Sequence, residues 1–100
     1  MWWLVAAVSL LAGCAAGPDA PSPVTLADLV VEQDRYDGQM VVTEGAVRTY
    51  DQPRHYWIED DAVNRVELVP PEAAADHVGA RVRVRGPFTF RDDEGRRITV

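Results

Sequence analysis

Two stretches of this chain carry one pattern, and that pattern constrains the fold more than any other feature. The first is Gly38-Gln39-Met40-Val41-Val42-Thr43-Glu44-Gly45-Ala46-Val47; the second is Gly79-Ala80-Arg81-Val82-Arg83-Val84-Arg85-Gly86-Pro87-Phe88. Both read G-x-x-V-x-[TV]-x-G-x-[VF]. Apolar and polar residues alternate, which is the period of a half-buried β-strand. The fourth, sixth and eighth residues of each copy share a face, and a glycine ends that set. Glycine inside a strand pattern marks a bend, a bulge or the close approach of another backbone. Two strands that each turn a corner allow a small sheet to curl onto itself. The expectation is that the two copies lie side by side as the seam of a small β-barrel.

The rest of the chain reads in order around that pair. Thr25 is an N-cap, with Asp28 as its capping-box partner, for a short helix over Leu26 to about Asp34. Arg35-Tyr36-Asp37-Gly38 is a turn. The first strand runs from about Gln39 to Tyr50, with Val41, Thr43, Gly45 and Val47 inward and Val42, Glu44, Ala46 and Arg48 outward. After a loop at Asp51-Gln52-Pro53-Arg54, His55 to Asp60 is the second strand. Its Tyr56 and Ile58 fit one face, and His55, Trp57 and Glu59 the other. A turn at Asp60–Asn64 leads to a third strand, Arg65 to Val69, with Val66 and Leu68 inward. Pro70-Pro71 stops it, and Pro71 to His77 has the proline start, acidic first turn and following Gly79 of a short helix. The fourth strand spans Arg81 to Phe90, interrupted at Gly86-Pro87. A hairpin loop at Asp92–Gly95 then leads to a last strand, Arg96 to Val100.

Helix, three strands, short helix, two strands is the order of the OB-fold, a partly open five-stranded Greek-key barrel in which the first and fourth strands pair. The predicted class is therefore mainly β. The pattern L-x-x-L…Y-D-G-x-x-V…G-x-V…Y-x-I-x-D…V-x-L…G-x-x-V-x-V-x-G…I-x-V, from about Thr25 to Val100, resembles OB-fold domains of bacterial envelope lipoproteins. Its matching residues are structural glycines and core valines, so the resemblance implies a fold and says little about a role.

The N-terminus reads as an address. Met1 to Ala12 is almost wholly apolar and shorter than the roughly 20 residues that span a bilayer, as in the apolar region of a secretory signal. Leu11-Ala12-Gly13-Cys14 resembles the lipobox of bacterial lipoprotein signal peptides. The resemblance implies removal of residues 1–13, a diacylglyceryl group on the Cys14 thiol and acylation of its freed amine. Two or more acyl chains make a stable anchor where one does not. No Lys or Arg precedes the apolar run, and the competing reading is an uncleaved anchor with an incidental cysteine. Ala15, where aspartate does not stand, implies sorting to the periplasmic face of an outer membrane. Residues 14–24 are expected to be the lipidated cysteine and a flexible, extended tether rich in Pro, Ala and Gly, and 25–100 the folded domain.

Charge and composition narrow the function classes. The chain has 100 residues and a formal charge of −6, and its ten basic residues are all arginine. A net-acidic domain lacks the general footprint of a nucleic-acid binder. One cysteine permits no intrachain disulfide. The acidic turns Asp60-Asp61 and Asp92-Asp93-Glu94 do not match a calcium loop, and His55 and His77 have no third ligand at metal spacing. No cofactor or metal is expected, and no nucleophile pattern points to an enzyme.

Two surfaces remain. His55, Trp57, Arg65 and Glu67 are expected on the exposed side of the second and third strands, with Tyr50 and Arg54 in the adjoining loop. OB-folds use that face for ligands, and an exposed Trp beside His and Arg can stack on a ring. The bland alternative is that Trp57 packs under the N-terminal helix or the tether, or merely covers a barrel edge. Arg81, Arg83 and Arg85 alternate along the outer face of the fourth strand. They form either an anion-binding stripe for nucleic acid or nucleotide, or a solvated face paired with Glu44 and other acids. The expected function is a lipid-anchored, non-catalytic module that binds an envelope protein or, second, a glycan. A passive spacer with no ligand is the remaining possibility.

Overall fold

A computed structural model describes residues 21–100. The signal segment, Cys14 and the tether as far as residue 20 lie outside the described residues. The elements run β1 (Ser22–Pro23), α1 (Leu26–Val31), α2 (Gln33–Tyr36), β2 (Met40–Asp51), β3 (Arg54–Glu59), β4 (Arg65–Val69), β5 (Arg81–Arg91) and β6 (Gly95–Thr99). Between β4 and β5 lie two single 3-10 turns, Pro71–Ala73 and Ala75–His77.

The sheet closes on itself. Its order is β2-β3-β4-β6-β5, and β5 returns to pair with β2. The β4–β6 pair is parallel and the other pairs of this ring are antiparallel. The molecule is thus mainly β, a five-stranded ring with OB-fold-like Greek-key connectivity.

The seam is the predicted one, and it is symmetric. Residues Met40–Ala46 of β2 pair with Arg81–Pro87 of β5 so that Val41 faces Gly86, Thr43 faces Val84 and Gly45 faces Val82. The fourth residue of each copy therefore meets the eighth of the other, and the sixth meets the sixth. Hydrogen bonds beyond the ladder repeat the relation. Gly38 N–H donates to Phe88 O as Gly79 N–H donates to Val47 O, and Phe88 N–H reaches Gln39 O as Val47 N–H reaches Ala80 O. The opening glycines, Gly38 and Gly79, both have φ of +89°, a left-handed conformation that costs glycine little. A local pseudo-twofold axis runs between Thr43 and Val84.

Each long strand changes partner at the corner its glycine makes. β2 leaves β5 for β3 at Ala46, and β5 leaves β2 for β6 after Pro87. A Cβ at Gly45 would stand 3.0 Å from Glu59 O, and one at Gly86 would stand 1.9 Å from Thr99 O. Another backbone passes over both glycines. The expected interruption at Gly86-Pro87 is accordingly absent: β5 is continuous, and that dipeptide is where it exchanges one neighbour for the next.

Alternation fills the ring. Val41, Val47, Ile58, Val66, Leu68, Phe88 and Ile98 are buried, and α1 adds Leu26 and Leu29. Thr43 is buried among them, and its Oγ1 has no hydrogen-bond partner among the described residues. The capping box of α1 is present: Thr25 Oγ1 accepts from Asp28 N–H at 3.0 Å, and Asp28 Oδ2 accepts from Thr25 N–H at 3.3 Å.

Three local expectations are corrected. The first helix breaks at Glu32 into α1 and α2; the β-branched pair Val30-Val31 supports a helix poorly. The segment after Pro70 makes two 3-10 turns rather than a short helix, pinned by the burial of Ala74. The tether ends earlier than residue 24. Ser22 and Pro23 pair in parallel with Val41 and Val42, and Val24 N–H donates to Val42 O at 2.9 Å.

Candidate functional site

The outward residues of β3 and β4 form one surface because the two strands are antiparallel neighbours. Trp57 faces Glu67 across the pair, and Glu59 faces Arg65. Tyr50 joins them through the β2–β3 hairpin, where it faces His55. Of the predicted residues, Tyr50, His55, Trp57, Arg65 and Glu67 line one open groove of about 380 Å³, together with Arg96.

Four of these side chains stand in a row. The Tyr50 and His55 rings meet edge-on at 6.3 Å between centroids, and His55 lies 5.1 Å from Trp57 at a 33° tilt. The Arg65 guanidinium sits 5.1 Å over the Trp57 ring, a cation–π contact. His55 Nδ1 is 2.7 Å from Pro53 O, and its neighbour Thr49 hydrogen-bonds the His55 carbonyl at 3.0 Å. Trp57 is half-buried, whereas Tyr50 at the end of the row is 60% exposed.

Glu59 holds the row in place. Its Oε1 accepts from Trp57 Nε1 at 2.9 Å and from Arg65 Nε at 3.1 Å, and Oε2 lies 3.5 Å from Arg48 Nε. The Trp57 hydrogen bond, followed by the charges of Arg65 and Arg48, keeps the Glu59 carboxyl below its usual pKa. Arg96 braces the other side. Its Nε donates to Arg65 O at 3.0 Å, and Nη1 to Gln33 Oε1 at 2.8 Å. Glu67 is engaged by Arg97 at 3.2 Å. Glu59, Arg48, Arg96 and Arg97 were not singled out by the sequence reading. Glu59 carried a signal, since it lies two residues beyond Trp57 on the same strand face. Arg96 carried none until β6 was placed beside β4.

Arg54 does not join the row. It shares strand phase with the buried Tyr56 and Ile58, pairs with Asp51 at 2.7 Å, and borders a separate depression with Pro71 and Glu72. The arginine stripe is divided. Arg81 bridges to Glu44 at 3.3 Å, while Arg83 and Arg85 are exposed and make no ion pair among the described residues. In the acidic turn, the Asp60 carboxylate accepts from Ala62 N–H, Asn64 N–H and Asn64 Nδ2, which is turn chemistry. Cys14 lies outside the described residues.

The arrangement suits recognition. Rings and guanidinium are held at fixed spacing by a carboxylate, and one aromatic end projects into solvent. No known family model matches the chain, and no curated protein matches its sequence significantly.

Proposed function

We propose that this chain is a non-catalytic binding module, anchored in a bacterial cell envelope through lipidated Cys14. Its ligand is a protein partner engaged through the Tyr50–His55–Trp57–Arg65 row, with a glycan as the second class. The observation that carries the reading is the exposed Tyr50 at the end of a row whose other members are braced. Tyr, Trp and Arg dominate the energetics of protein interfaces, and side chains already held in place lose little freedom on binding. The anchor rests on the lipobox resemblance, and the envelope supplies both partner classes. Nucleic acid is the weaker alternative because Glu44 already engages Arg81 and the chain is net acidic. The filled interior of the ring supports binding over catalysis, which ordinarily needs a cleft.

In-cell photocrosslinking from position 50, followed by mass spectrometry, tests the reading. Capture of one envelope protein, lost in Arg65→Ala and accompanied by release of the chain from membranes in Cys14→Ser, is the expected result. Capture from positions 83 or 85 but not from 50 overturns the choice of face. Retention of Cys14→Ser in the membrane fraction overturns the lipid anchor.

A further inference from the structure

The pseudo-twofold seam has one strand edge filled and leaves its counterpart bare. On β2, the edge facing away from β5 is taken by β1 at Val41 and Val42, and Val42 O accepts from Val24 N–H. The axis carries Val42, fifth in its copy of the motif, onto Arg83, fifth in the other. On β5 the matching edge is taken by β6 only from Phe88 onward, and no described strand pairs with it over Arg81–Arg85. Phe88 N–H points to β2, so alternation turns the N–H and C=O of Arg83 and Arg85 the other way, toward the bare edge. Pro87 follows in the same phase and has no N–H to leave unpaired there.

A groove of about 440 Å³ lies along this edge. The buried Leu68, Ala74 and Val84 line it, together with the exposed His77, Arg83 and Arg85. Its volume falls within the range of about 300–1,000 Å³ usual for ligand sites. The edge thus offers paired donors and acceptors at strand spacing, an apolar floor and two arginines without ion pairs among the described residues. An extended peptide satisfies all three features, because main-chain bonds supply affinity and alternate side chains supply specificity in strand addition. A nucleic-acid strand has phosphates for the arginines but no backbone N–H for the Arg83 carbonyl. Across a strand pair opposite charges are favourable and like charges destabilising, so Arg83 and Arg85 select an acidic strand.

We propose that the bare edge of β5 binds an extended acidic peptide from another protein. The peptide adds as a strand parallel to β5, as β1 does on β2, with apolar residues in the groove and carboxylates beside Arg83 and Arg85. The site is separate from the Tyr50 row.

The test is NMR of the ¹⁵N-labelled full chain in detergent micelles. Three probes are titrated: acetyl-Glu-Val-Glu-Val-Glu-amide, the same peptide N-methylated at both valines, and a thymidine oligonucleotide. The unmodified peptide is expected to shift the Arg83 and Arg85 amides and slow their hydrogen exchange. The double variant Arg83→Glu, Arg85→Glu weakens binding at least tenfold, and Tyr50→Ala leaves it unchanged. Three results overturn the proposal: no shift at those amides with millimolar peptide, equal binding of the N-methylated peptide, or a response to the oligonucleotide alone. Since Tyr50→Ala reports on the other surface, failure here leaves the Tyr50 reading intact.

Discussion

Thr43 sits at the centre of the seam with a buried hydroxyl that has no partner among the described residues, directly opposite Val84. A buried polar group without a hydrogen bond costs roughly 1–3 kcal/mol, and valine has nearly the shape of threonine. Thr43→Val should therefore stabilise the domain by about 1 kcal/mol, raising Tm by about 4–8 °C, as measured by calorimetry. An unchanged or lower Tm would mean that the hydroxyl is satisfied in solution. Glu59 gives the pH counterpart. Its folded pKa is held below the ordinary value of about 4.3. Its contribution is then fully present above that pH and lost as pH falls through the depressed value. Denaturant titrations should show Glu59→Gln less stable than the parent at pH 7, with the two curves converging as the pH falls through the depressed Glu59 value. Parallel curves would remove Glu59 from the acid limb. Both roles were only partly legible in the sequence. The alternation put Thr43 inside and Glu59 outside, but the missing partner of one and the two arginine partners of the other depend on packing across strands.

At the scale of elements, the strands were readable because each has one buried and one wet face, and period two records that directly. The corners were readable because glycine stands at the same place in both copies. Their unequal severity was not: a Cβ at Gly86 meets the Thr99 carbonyl at 1.9 Å, whereas at Gly45 the nearest atom is the tip of a side chain, Leu26 Cδ1, at 2.8 Å. Gly86→Ala should cost more than about 2 kcal/mol, and Gly45→Ala distinctly less, in chemical denaturation. Equal losses would argue against the close passage of β6 over β5. Two other elements escaped the sequence because composition pointed elsewhere. Pro and Ala around Ser22–Pro23 read as tether, yet the open edge of β2 recruits them. Alanines after Pro71 read as helix, yet only Ala74 reaches the core, and two tight turns suffice to deliver it. Arg54 was misplaced by its loop position, since the β2–β3 hairpin is tighter than expected and puts Arg54 in strand phase with Tyr56.

For the molecule as a whole, the two proposed surfaces belong to one closed ring. The β2–β3 hairpin places Tyr50 opposite His55, and the β2–β5 seam leaves the outer edge of β5 exposed. Five of the six residues expected at the ligand face converge because the strand order follows that of an OB-fold. That convergence was legible once the element order was known, whereas the bracing by Arg96 required the parallel contact of β4 with β6. The most direct measurement is of proton–proton contacts across β2 and β5 by NMR. By alternation, Val42 with Arg85 and Glu44 with Arg83 are two of the pairs whose α-protons face one another. Strong α–α cross-peaks for both pairs are the predicted result; their absence, with Val42 and Glu44 giving such contacts to some other strand, would contradict the pseudo-twofold seam and the bare β5 edge that follows from it.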